Sequence, residues 1–186
     1  MTNNTRLCRL AFGSQGERTF RIQFGPWDRG NTVNAFVDLP AEFLSNLNLL
    51  DEWRWLVGDD KRVFAVSLSG DVFIEDKDGV VFWLDCGCAR LAKIADARQE
   101  FYHLTTDPAN AETWFMVDHI HSLELSGNIL GPGQCYGFKI PPILGGRYDS
   151  ANRTAIDLKE HISFLGSLYG KVRELPDGTN IRLSFE

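Results

Sequence analysis

Long apolar runs are missing from this chain: nothing approaches the roughly 18 consecutive apolar residues that a membrane-spanning helix needs. The opening stretch MTNNTRLCRLAFGS also lacks the basic start, hydrophobic core and small-residue cleavage site of a secretory leader. A soluble, cytoplasmic protein is therefore expected. Cysteine is sparse, with 4 in 186 residues and no framework spacing, which fits reduced thiols better than a disulfide scaffold. Missing too are a G-x-S-x-G elbow, an H-E-x-x-H helix, a phosphate loop ending in Gly-Lys-Ser/Thr and a G-x-G-x-x-G turn after a strand. Those absences remove the commonest hydrolase, metalloprotease and nucleotide-binding readings. No internal repeat or low-complexity tract is present.

Positive charge is in deficit, 19 basic residues against 25 acidic ones, and the deficit is local. Residues 38–85 carry eleven acids against four basic residues, a balance of −7, whereas residues 1–37 come to +3, residues 86–126 to −3 and residues 127–186 to +1. Phosphates would be repelled by that middle segment, which disfavours direct nucleic-acid binding, while a basic protein partner would be steered towards it. A plain solubilising face is the alternative reading.

What is there begins with GDVFIEDKDGVVFWLD, residues 70–85. Val72, Phe73, Ile74 and Glu75 read as a strand, Asp78-Gly79 as a turn with the positive φ that glycine takes freely, and Val80 to Leu84 as the returning strand. With Val63 to Leu68 upstream, the spacing predicts a three-stranded antiparallel meander at the centre of the fold. Its core is expected to rest on Phe73, Val81 and Trp83, with Trp53, Trp55 or both facing inward.

Along the chain, Leu7–Phe12 and Arg18–Phe24 predict a first hairpin across Gly13 to Gly16. Asp38 is placed to cap a helix from Leu39, with Pro40 in its first turn and Phe43, Leu44, Leu47 and Leu50 at helical spacing. A short helix, Asp51 to Val57, stops at Gly58. Leu91, Ile94, Phe101 and Leu104 suggest one or two short helices. Asp107-Pro108 opens a helix predicted to run to Leu125, and Cys135 to Ile140 reads as a short strand between glycine- and proline-rich loops. Asp157 caps a final helix over about Leu158 to Leu175, and Ile181, Leu183 and Phe185 alternate as a closing strand. With 44% hydrophobic residues the chain can fill one core, so a single compact unit is expected, two small lobes being the alternative. The pattern is α+β: a mostly antiparallel sheet with a central meander, helices packed mainly on one side.

Two clusters invite a chemical reading. Cys86-Gly87-Cys88 and His119-Ile120-His121 supply the ligand types of a tetrahedral zinc site. On the helix predicted there, residues two apart point about 200° from each other and cannot grip one ion, so the sequence favours buried thiols and surface imidazoles. Asp76 to Gly79 with Asp85 echoes a calcium loop, but Ile74 stands where the first carboxylate belongs and strands flank it. His161 and Asp157, four apart, have acid–base spacing, yet Asp157 is more simply a cap. No catalytic, metal or cofactor residue is assigned.

The segments GDVFIEDKDGVVFWLDCG, CYGFKIPPILGG and TAIDLKEHISFLGSLYGKVRELPDGTNI together resemble the bacterial type VI secretion immunity-type domains of the wider SUKH (cell-wall-synthesis-regulator-like) group, over about residues 38–181. The stretch C-Y-x-F-x-x-P-x-x-L-G-G followed by Asp157-Leu158 and a helix is the most distinctive part. The resemblance implies an α+β domain over residues 38–186 behind a hairpin-like lead of residues 1–37, and a non-enzymatic protein that binds a cognate toxin, often a nuclease, and blocks it. Members paired with DNase toxins often carry a longer N-terminal domain than the lead here. Joined to the charge pattern, it predicts an immunity protein that occludes a basic toxin through Asp59, Asp60, Glu75, Asp76 and Asp78. A stand-alone regulatory or scaffolding protein of the same fold is the alternative, and an enzyme assembled from distant residues the third reading.

Overall fold

In a computed structural model, residues 48–176 and 179–180 are described in full, and residues 5–12, 16–23 and 36–38 by their backbone. The first elements, β1 (Thr5–Phe12) and β2 (Gly16–Gln23), pair antiparallel as the predicted hairpin. The helix expected from Leu39 and the closing strand at Ile181, Leu183 and Phe185 lie outside the described residues.

The predicted meander is the middle of a five-stranded antiparallel sheet, order β3-β4-β5-β6-β7. Its strands are β3 (Phe36–Asp38), β4 (Arg62–Ser67), β5 (Val72–Glu75), β6 (Val81–Asp85) and β7 (Arg90–Ala95). Phe73 faces Trp83 across the β5–β6 pair, and Glu75 faces Val81. Gly79 takes φ 82° in the connecting turn, which Asp76 fastens by accepting hydrogen bonds from the N–H groups of Asp78 (2.9 Å) and Val80 (3.0 Å). After β6 the sequence reading departs from the structure: Arg90–Ala95 is the edge strand β7, not a helix, and the helix begins only at Arg98. Pairing with β6 overrides the helical spacing of Leu91 and Ile94, which face opposite sides of the sheet.

Alternation along β5 decides the architecture. Val72 and Ile74 point to one face and Phe73 to the other, and all three are fully buried. A strand wet on one side could not bury three residues in succession. Helices accordingly cover both faces, which corrects the expectation that they group on one side. On the first face, Val66, Val72, Ile74 and Leu84 pack with Trp53 and Val57, from the turn Asp51–Trp53 and α1 (Arg54–Val57), and with Ile162 and Leu165 of α5 (Leu158–Val172). On the second face, Phe64, Phe73, Val81 and Trp83 meet Phe101 of α2 (Arg98–Leu104) and Trp114 and Phe115 of α3 (Pro108–Phe115). The α+β class and the antiparallel sheet stand as read.

The helix expected from Pro108 to Leu125 is two helices. Asp107 caps α3 as predicted, but Met116 takes φ 53°, ψ 46°, and α4 (Val117–Leu125) starts anew behind it. A left-handed residue cannot continue a right-handed helix, so the axis turns there. A small antiparallel pair, β8 (Gln134–Phe138) and β9 (Arg153–Asp157), completes the fold, and β8 is tied to the end of β4 by the Tyr136 N–H donating to the Leu68 carbonyl at 2.8 Å. The strand β9 has no counterpart in the sequence reading.

Asp157 caps α5 as expected, accepting from the Glu160 N–H at 2.9 Å. Gly166 is where the turn before α1 comes closest: a Cβ there would lie 2.8 Å from the Glu52 carbonyl oxygen and 2.8 Å from Trp53 Nε1. Gly166→Ala should therefore destabilise by about 1–3 kcal/mol through overpacking, although alanine is the better helix former by about 1 kcal/mol. A thermal melt that rises instead would show that the helix and turn separate freely.

Candidate interaction surface

The five acidic residues singled out from the sequence gather at one end of the sheet. Asp59 and Asp60 lead into β4, while Glu75, Asp76 and Asp78 belong to the β5–β6 hairpin, and Arg62 beside Asp60 sits opposite Glu75 in the register. Their roles there differ. Glu75 is only 14% exposed and is clamped by Arg98, whose Nε and Nη2 reach its two carboxylate oxygens at 2.5 and 2.6 Å, with Arg62 at 3.7 Å. Asp76 fastens the hairpin turn. Asp59, Asp60 and Asp78 remain outward, each beside a cation: Arg54 at 3.8 Å, Lys61 at 3.0 Å and Lys77 at 3.7 Å. The Lys61 ammonium holds the Asp60 carboxyl below its ordinary pKa. The excess of −7 along the segment is thus partly answered in space, chiefly because Arg98 arrives from outside it. An open groove beside this end is lined by Arg98, Gln99, Glu100, Tyr102 and His103.

Sequence reasoning missed a second cluster, buried at the other end of the sheet. Asp71, before β5, accepts from the Cys86 N–H at 3.0 Å and lies against Ser69 and Ser67. Arg153 of β9 donates from Nη1 to the carbonyls of Ser69 (2.9 Å) and Tyr136 (2.8 Å), and its guanidinium stacks 3.8 Å from the centroid of Phe138. His161 of α5 is wedged against Gly70 and Gly137, neither of which has room for a Cβ, and its Nε2 has no hydrogen-bond partner. Burial, helped by the charge of Asp85, pushes Asp71 up to about 7. For His161, burial first and the Arg153 charge second push the pKa down to about 3. The Asp157–His161 pair is not formed, since Asp157 is spent on the helix cap.

Thiol chemistry is poorly served here. Cys86, Cys88 and Cys135 are free. Burial and the neighbouring carboxylates raise the Cys86 thiol far above its ordinary value, and Cys88 and Cys135 are each pushed up to about 12. Such thiols stay protonated at neutral pH and are weak nucleophiles and weak ligands. His119 and His121 lie two apart on α4, the arrangement that the sequence argument took as unable to share an ion. Among the described residues no group of three or more His, Cys, Asp or Glu side chains is placed to hold a metal, and no helix is long and apolar enough to cross a membrane.

Residues 139–149 form a loop joined to β8, with Tyr148 packed against Phe138. Ile140, Ile143 and Tyr148 project from it, and Asn152 holds it: its amide donates to the carbonyls of Ile140 and Arg147, both at 2.8 Å, and accepts from the Ile140 N–H at 3.0 Å.

A crystal structure of Atu4351 from Agrobacterium tumefaciens is similar to this chain with a TM-score of 0.51 and 18% identity, covering 77% of this chain and 69% of that one. At that identity the likeness speaks for the fold. No curated protein sequence matches the chain. Residues 95–169 match the family described as T6SS immunity protein Tdi1, C-terminal. That segment runs from the end of β7 to within α5, and so holds the loop 139–149, Arg153 and His161 but none of the five acidic residues at the hairpin end. Over residues 95–169 the chain is thus similar to the C-terminal part of a type VI secretion immunity protein, in agreement with the family resemblance carried by its own motifs.

Proposed function

We propose that this chain is an immunity protein, a non-catalytic binder that recognises a protein toxin, nuclease by class, and occludes it. The observation that carries this reading is the match of residues 95–169 to the C-terminal part of T6SS immunity protein Tdi1. The shielded chemistry agrees with it. Asp71, Arg153 and His161 are all buried, and the thiols are held protonated, so these groups serve the fold rather than a substrate.

The acidic end of the sheet takes part in this reading by steering a basic toxin. Asp59, Asp60 and Asp78 are solvated, each beside one cation, and charges of that kind change the association rate and its salt dependence more than the lifetime of a complex. Glu75 and Asp76 are occupied by the fold, so reversing them would mix binding with stability.

The informative variant is Asp59→Lys, Asp60→Lys and Asp78→Lys together. Its melting temperature should stay near that of the wild type, while association with the cognate toxin domain should slow about ten-fold at low salt and converge on the wild-type rate at high salt. Rate constants that match at both ionic strengths would remove the acidic end from recognition. Growth protection by the wild-type chain against that toxin domain tests the immunity reading itself, and lack of protection would refute it.

A further inference from the structure

Resting on the immunity reading, we infer that the toxin is anchored by the loop 139–149, with Ile140 and Ile143 entering an apolar cleft bordered by carboxylates and Tyr148 bracing the loop behind them. Three large apolar side chains stand outside the core within nine residues: Ile140 is 53% exposed, Ile143 38% and Tyr148 43%. Isolated exposed apolar residues need no explanation, but several on one short segment mark an interaction site.

The loop is built rather than slack. Besides the three hydrogen bonds to Asn152, Pro141 and Pro142 restrict its backbone, and a one-turn helix at Pro142–Leu144 closes on Gly145, which takes φ 89°. Gly146 lies so close to the Ile140 carbonyl that any side chain there would collide with it. Tyr148 is braced edge-on against Phe138 at 5.2 Å between centroids, and the Lys139 ammonium donates to the Ala151 carbonyl at 2.8 Å. A loop already held in one shape gives up little conformational entropy on binding, which is what an anchoring surface requires.

Charge selects the occupant. Lys139 and Arg147 flank the apolar side chains, and Asp149, the only acid within the loop, is partnered by Arg147 and accepts from the Asn152 N–H. The loop therefore offers an apolar tip with a net positive rim. Its complement is an apolar cleft with carboxylates at the edge, the kind of residue with which metal-dependent nucleases hold their ions. The loop also lies inside the segment 95–169 that matches the immunity family, whereas the acidic hairpin end does not.

The test uses the full chain and an inactivated form of its cognate toxin domain, with affinity read by interferometry. Ile140→Asp with Ile143→Asp should weaken binding at least about 100-fold, and Arg147→Glu alone about ten-fold, as expected for hot-spot positions. Both variants change exposed side chains, and Arg147 is 83% exposed with its ion pair to Asp149 on the loop itself, so melting temperatures should hold. Wild-type affinity in both variants would overturn the loop as the anchor and leave the immunity reading standing. Failure of the wild-type chain to bind at all would instead remove the immunity reading, and with it this anchor.

Discussion

Trp53→Ala should cost about 3–5 kcal/mol and bring the protein close to unfolding at 37 °C. The indole is fully buried between the sheet and α5, its Nε1 donates to the Ile162 carbonyl at 2.9 Å, and it stacks on Trp55 at 6.0 Å and leans on Tyr169 at 6.2 Å between centroids. Removing it empties the seam where α1, α5 and β5 meet. Trp53→Phe keeps most of that volume and loses the hydrogen bond, so it should cost only about 1–2 kcal/mol. Chemical denaturation of both variants checks the ranking, and equal costs would mean that the hydrogen bond rather than the packing holds the seam.

Wild-type stability should be nearly level between about pH 4 and pH 6.5, because two buried groups oppose each other. Asp71 has a pKa of about 7 when folded against an ordinary 3.8, so its contribution is fully present below the lower value and is lost as pH rises through the higher one. His161 has about 3 against an ordinary 6.5, so its contribution is fully present above 6.5 and is lost as pH falls through 3. Over the shared interval each group contributes a slope of up to about 1.4 kcal/mol per pH unit, with opposite sign. Asp71→Asn should expose the His161 slope, stability rising from pH 4.5 to pH 6.5, and His161→Leu should expose the Asp71 slope, stability falling over the same range. Urea denaturation at pH 4.5, 5.5 and 6.5 reads both. Parallel, flat profiles in the two variants would mean that neither group is shielded as the geometry requires.

Legibility in the sequence followed how local each signal is. The β5–β6 hairpin was readable because Asp78-Gly79 and the flanking apolar runs lie within sixteen residues, and α5 because Asp157 caps a clear helical stripe. The strand β7 was hidden: Leu91 and Ile94 mimic a helical face, and only pairing with β6 sends them to opposite sides. Nothing about methionine announces a left-handed residue, so the break at Met116 was unreadable. Its backbone conformation goes with a tertiary contact, Arg153 Nη2 donating to Met116 Sδ at 3.0 Å. The acidic segment was legible as charge but not as surface, since Arg98 clamps Glu75 from 23 residues away. Asp71, Arg153 and His161 are separated by up to 90 positions, and no local pattern could have joined them. The loop 139–149 was legible as a loop from Pro141, Pro142, Gly145 and Gly146, but its fixed shape was not, because Asn152 reaches the Ile140 and Arg147 carbonyls from outside that stretch.

Non-catalytic occlusion is tested most directly by titrating the purified chain into a fixed amount of the active cognate toxin domain and following the toxin's activity. Activity should fall linearly and reach background at one equivalent, with full activity recovered when the complex is dissociated and the two proteins separated. Loss of activity at a small fraction of an equivalent, or a toxin that stays inactive after separation, would show that this protein acts on its partner as an enzyme and would contradict the account.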